Sequence, residues 1–221
     1  MSSKRMRRYV NACGGDTRKA MTLYRYNLRL SQEMFTIISC YEVALRNAID
    51  KVSSDTLGAD WIRDSIMPGG IFDSPIFSGT TRIMKKAYSE LLSTGTYSPS
   101  KLLSAMEFGI WKYLFSSTEY RATGKSLLRV FPQKPKSTVS MHYDNSYIFN
   151  ELDSINRLRN RIAHHEPVCF SQGKDMISTA HLQSCYSRII VLFTWMGIPS
   201  TPLLFGLNHV LSICRMIDSM A

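Results

Sequence analysis

The stretch NSYIFNELDSINRLRNRIAHHEPV, residues 145–168, decides the fold class. Ile148, Leu152, Ile155, Arg159 and Ile162 follow one another at spacings of four, three, four and three, which traces one face of an α-helix. The spacing predicts a helix over about Asn145 to Ala163. Its end is written in the sequence too: Pro167 disfavours helical geometry at Glu166, so the chain leaves the helix at His164 and His165. Arg159 falls in the row that should face the core, where a guanidinium is costly to bury without a partner. Asn160 and His164 are i,i+4 neighbours on the adjoining row, close enough to interact. Arg161 lies about 200° round the helix from Arg159, so the two point apart. An arginine, an asparagine and a histidine thus gather at one helix end, a set suited to phosphoryl chemistry.

The same period recurs elsewhere. Met34, Ile38, Tyr41, Leu45, Ala48 and Val52 form a core stripe on a helix expected to start at a Ser31 cap and run to about Val52. Before it, Asp16 or Thr17 caps a helix expected to reach about Leu28. Residues 55–79 carry Gly58, Pro68, Gly69, Gly70 and Pro75 and read as an irregular connection. A helix follows over Thr80 to Leu92. Ser98-Pro99 places a cap before a proline at the first helical position and starts another, to about Phe115. Residues 116–143 read as a loop around a short helix at Lys125 to Val130. Asp175 is expected to cap a helix through Trp195, ended by Gly197 and Pro199, and a last helix is expected over Pro202 to Asp218. No segment alternates with a period of two. The fold class is all-α.

Arg159-Asn160-Arg161-Ile162-Ala163-His164 reads R-N-x-x-x-H, and His165 satisfies the looser spacing of the same pattern. Together with Tyr24-Arg25-Tyr26-Asn27, Tyr41 to Asp50, Glu107-Phe108-Gly109-Ile110-Trp111 and Arg159 to Val168, in this order, it resembles the Abi-like family of bacterial abortive-infection proteins, of the AbiD and AbiF type. The R-x(4–6)-H motif is that of HEPN-domain ribonucleases. The resemblance covers residues 15–200, with Leu114 to Tyr147 matching only loosely. It implies a HEPN-like helical bundle with additional helices, a single domain over residues 1–221, and RNA cleavage that arrests a phage-infected cell; the alternatives are a non-catalytic RNA-binding module of the same fold and a helical scaffold protein.

The resemblance also assigns roles. Arg159, Asn160 and His164 become the catalytic set. His164 would move a proton to or from the ribose 2′-hydroxyl or the leaving oxygen, because its ordinary pKa lies near neutrality. Arg159 would hold the charge that develops on the phosphoryl oxygens. His165 is expected in support or packed in the turn. Glu42, Arg46 and Asn47 either border the site or, for Glu42 and Arg46, form an internal i,i+4 ion pair that fixes helix register. Glu42 is one candidate to hold Arg159 in place. One histidine per chain is short for both acid and base, so a two-fold homodimer is expected to build a composite site. An antitoxin, RNA or protein, is a further expected partner.

Composition agrees with this. The 221 residues carry a net charge of +10 and 44% hydrophobic residues, which fits a packed globule with a polyanionic partner. Arg121, Lys125 and Arg129, with Arg161 as a solvated residue, are the expected RNA contacts. Lys4, Arg5, Arg7 and Arg8 read as part of a flexible basic tail over residues 1–15. Five cysteines without a C-x-x-C pair argue against a zinc or disulfide framework. Adjacent His164 and His165 rarely chelate one ion, so neither metal nor cofactor is expected. No phosphate-cradling glycine motif is present. No apolar run nears the ~20 residues of a membrane span, and the expected setting is the cytoplasm.

Overall fold

In the computed structural model, which describes residues 3–221, the chain is all-α. Among the described residues there are eleven α-helices, and extended pairing is limited to one antiparallel bridge, Phe170 to Ile177. The helices are α1 (Ser3–Ala12), α2 (Thr17–Leu57), α3 (Trp61–Ile66), α4 (Ser78–Ser93), α5 (Pro99–Ala105), α6 (Phe108–Tyr113), α7 (Ser117–Ala122), α8 (Asn145–Ala163), α9 (Ala180–Trp195), α10 (Ser200–Leu203) and α11 (Val210–Asp218). Single 3₁₀ turns stand at Pro75–Phe77 and Leu127–Val130. None of the helices is long and apolar enough to cross a membrane.

The longest element differs from its expectation. In place of two helices, α2 is one helix of 41 residues, about 60 Å long at 1.5 Å per residue. Asp16 does cap it, its carboxylate accepting the N–H groups of Arg18 and Lys19 at 2.9 Å each. Ser31 does not start a second helix. No glycine or proline interrupts residues 17–57, and Ala20, Leu23, Leu30, Met34, Ile38, Tyr41, Leu45 and Ile49 form one fully buried row, with the buried Asn27 between Leu23 and Leu30. A continuous apolar face outweighs a single capping residue. The helix stops where Gly58 takes φ +97°.

The residues fall into two compact units. One comprises Met1–Tyr41, Arg157–Thr194 and Ile198–Ala221; the other comprises Glu42–Asn156 and Trp195–Gly197. In the second unit α3, α4 and α5 pack on one another, and the helix expected over Ser98 to Phe115 breaks in two. Ser98 caps α5 by accepting from the Lys101 N–H, but Met106 and Glu107 are extended and α6 restarts at Phe108. The connection expected over residues 55–79 contains α3, and the loop after Ser116 begins with α7. The α8 bounds match the expectation, with Asp144 accepting from the Tyr147 N–H at its start.

In the first unit, α1 occupies residues expected in a flexible tail; residues 1–2 of that expectation lie outside the described ones. Tyr9 of α1 is only 1% exposed and meets Tyr24 and Phe170 edge-on, at centroid distances of 5.3 and 5.1 Å. Helix α9 begins at Ala180 and not at Asp175, because Asp175 is taken up by Arg8 of α1, 3.0 Å away. Its first turn is held instead by Asp218 at the end of α11, which accepts from the N–H and hydroxyl of Thr179 at 2.9 and 2.6 Å. The expected last helix is interrupted between Leu203 and Val210.

If α1 is a docked helix, Tyr9→Ala should lower stability by about 3–5 kcal/mol, the usual loss for removing a buried aromatic ring. Thermal unfolding followed by circular dichroism reads this directly. A change near zero would return residues 3–12 to the status of a tail.

Candidate functional site

The core row of α8 near its end runs through Ile155, Leu158 and Ile162, all buried. Arg159 therefore sits at the edge of that row. It is half-buried, and its Nε is fully enclosed without a hydrogen-bond partner among the described residues. Its Nη1 stands 3.5 Å from the Asn160 side-chain oxygen, the outer limit of a hydrogen bond. Asn160 and His164 are exposed, one turn apart, and the His164 N–H still donates to the Asn160 carbonyl at 2.9 Å. The helix thus holds as far as the histidine and presents it to solvent.

The turn that follows is closed by two backbone bonds. The His165 N–H donates to the Ile162 carbonyl at 2.9 Å and the Glu166 N–H to the Arg161 carbonyl at 2.8 Å. This is the Schellman pattern, and it puts His165 in the left-handed region at φ +57°, a position that glycine usually fills. Histidine tolerates that region better than most residues. The proline two residues on prevents the helix from resuming. His165 is exposed, not packed inside the turn.

Arg161 takes a different place from the solvated one expected. It is half-buried, donating to the Pro167 carbonyl at 2.7 Å and pairing with Glu166 at 3.4 Å. It fastens the turn. Beyond it, the Val168 and Cys169 N–H groups both donate to the buried Asn27 side-chain oxygen, at 2.8 and 3.2 Å. Two arginines of α1 complete the frame. Arg5 donates to the His165 carbonyl at 2.9 Å, and Arg8 to the Lys174 carbonyl at 2.5 Å while stacking 4.5 Å over the Phe170 ring.

His181, which stands in no motif, lies in the first turn of α9 in the same unit. Burial and the positive charges of Arg161 and Arg188 hold its pKa below the ordinary value. It stays neutral under conditions where a free imidazole begins to charge. Burial also pushes the Cys169 thiol up to about 12, so it is a protonated, unreactive group.

The remaining expected residues belong to the second unit. On α2 beyond Tyr41, Glu42 and Arg46 are half-buried and Asn47 is exposed. The Arg46 Nε is enclosed without a hydrogen-bond partner among the described residues. Arg121 and Lys125 come together at one pocket with Ser117, Tyr120 and Asn145. Arg129 is not part of that pocket; it is exposed, 3.7 Å from Asp55. Among the described residues no three His, Cys, Asp or Glu side chains are grouped to hold a metal ion.

A family model described as Abi-like protein matches residues 2–169, a span that includes Asn27 and ends just past the turn. No curated protein and no solved structure matches the chain.

Asn27→Ala leaves two buried N–H groups unpaired and should cost about 2–6 kcal/mol, at the usual 1–3 per orphaned group. Denaturant titration checks it, and a loss under half that would show that the segment does not hang on this side chain. The depressed pKa of His181 carries a pH signature. Its neutral form is favoured in the fold, so its contribution is complete above the ordinary value of 6.5 and is lost as pH falls through that value toward the lower folded one. Stability should fall less steeply below that pH in His181→Gln than in the parent.

Proposed function

We propose that this chain, which belongs to the Abi-like protein family, is a metal-independent endoribonuclease of phage-triggered abortive infection, cutting RNA with Arg159, Asn160 and His164. The observation that carries the reading is the motif's geometry. A half-buried arginine and an exposed histidine lie on the last turns of one helix, and that helix end is fixed by a closed turn, a buried asparagine and three arginines. A rigid helix end is a better platform for proton transfer than a loop, since placement errors of an ångström are costly in rate.

In this reading the ribose 2′-hydroxyl loses its proton to His164 and its oxygen attacks the adjacent phosphorus. The bond to the 5′-oxygen breaks, leaving a 2′,3′-cyclic phosphate on one fragment and a 5′-hydroxyl on the other. Arg159 stabilises the charge spread over the phosphoryl oxygens at the halfway point, and Asn160 donates to one of them. The leaving oxygen needs a proton from a second acid. A second copy of the chain supplies it if two motif helix ends face each other across a two-fold axis, which doubles every group without new sequence. The reading also includes a partner, RNA or protein, that restrains the toxin.

His164→Ala should lose on the order of 10²–10⁴ in cleavage rate while keeping the parent's unfolding curve. Cleavage should continue in the presence of a chelator and leave cyclic-phosphate ends. Adding His164→Ala chains to wild type should depress activity beyond dilution. A folded His164→Ala protein that cuts at the parental rate would place the chemistry elsewhere.

A further inference from the structure

Beside the motif turn lies an open groove of about 360 Å³ that the chemistry above does not use. One wall is α2, with Leu28, Gln32 and Phe35; the other is the end of α8, with Ala163 and His165. All five are exposed, including Leu28 at 47% and Phe35 at 37%, so two large apolar side chains stand in solvent next to the motif. Arg25 and Arg29 are exposed on the same stripe of α2, at helical spacings of three and four from Leu28, Gln32 and each other. Residues 17–32 contain no carboxylate. The stripe therefore alternates fixed positive charge with apolar surface.

That alternation fits one kind of occupant. Single-stranded nucleic acid presents a phosphate and a flat apolar base at every step, and proteins hold it with cations along the backbone and aromatic rings under the bases. A groove of this size accepts one base. The Phe35 and His165 rings offer stacking faces, and the Gln32 amide has both a donor and an acceptor for a base edge. A second copy seated in the groove itself fits less well: a two-fold axis through it would oppose Arg25 and Arg29 to their own equivalents, so the pairing of motif ends proposed above leaves the groove open.

We infer that the groove of Leu28, Gln32, Phe35, Ala163 and His165 is a nucleobase subsite for single-stranded RNA, with Arg25 and Arg29 on the phosphates leading to it. This rests on the proposal that RNA is the substrate and adds where the nucleotide beside the cut is held. The base chosen by the groove then sets the sequence preference of cleavage, separately from the residues that break the bond.

The test uses the full chain carrying His164→Ala, which permits binding to be read without cutting, and fluorescein-labelled single-stranded RNA followed by anisotropy. Phe35→Ala should weaken binding about 5- to 100-fold, the range for losing one stacked base, and Phe35→Trp should restore it. Arg25→Gln with Arg29→Gln should reduce the log–log salt slope by about 1.4, at about 0.7 for each single-strand phosphate lost. All these side chains are exposed, and unfolding curves confirm that each variant folds. Parental affinity and slope in these variants would overturn the subsite. So would a Phe35→Ala protein whose mass by light scattering changes while its RNA affinity does not, an outcome that would assign the groove to a second copy. Failure here is distinct from failure of the nuclease reading. A protein with a wild-type His164 that cuts RNA, and does so with unchanged base preference as Phe35→Ala, loses only the subsite. One that binds RNA through Phe35 and never cuts loses only the chemistry.

Discussion

The segment after α8 must satisfy its backbone polar groups without regular structure, and it does so through side chains of other elements. A buried N–H or C=O left unpaired costs about as much as a lost hydrogen bond, so such a stretch survives only where partners are supplied. Asn27 of α2 takes the N–H groups of Val168 and Cys169. Arginines take the carbonyls: Arg5 at His165, Arg161 at Pro167, and Arg8 at Ser171 and Lys174. The orientation of the helix end that carries Arg159 and His164 follows from these bonds. They also help dock α1, together with its buried Tyr9.

This arrangement divides the basic residues into two populations. Arg5, Arg8 and Arg161 are directed at carbonyl oxygens or carboxylates of the chain itself. Arg25 and Arg29 on α2, and Lys125 at its pocket, face outward. Net charge alone does not separate the two. A guanidinium with five donors in a plane bridges several acceptors at once, which suits arginine to the positions around this turn.

How much was legible in the sequence depended on whether the deciding forces were local. The bounds of α8 and the exit at the histidines follow from spacing and from Pro167, and both were readable. The Asp16 and Ser98 caps were readable for the same reason, since each acts within three residues of itself. Ser31 has the same chemistry, yet it lies within a continuous apolar row that overrides it. The break at Met106 and Glu107 has no glycine or proline to announce it. The role of Asn27 is not legible locally, because an amide that serves backbone groups 141 and 142 residues away leaves no pattern in its neighbourhood. Arg161 does point away from Arg159 as its spacing implies, but the chain folds back over it and supplies the Pro167 carbonyl. His181 and the groove beside Phe35 exist only once α2, α8 and α9 are brought together.

The span of the α1 contacts bears on when the motif becomes complete. Arg5 and His165 are 160 residues apart, and Arg8 reaches Lys174 over 166. Contacts this far apart in the chain form late, because the whole intervening loop must close before they contribute. During synthesis α1 is made well before the segment it docks on, which follows it by about 160 residues. The turn behind His164 is therefore braced by α1 only after residues 165–174 have been made, and a chain interrupted before that point carries the α2 arginines without that brace.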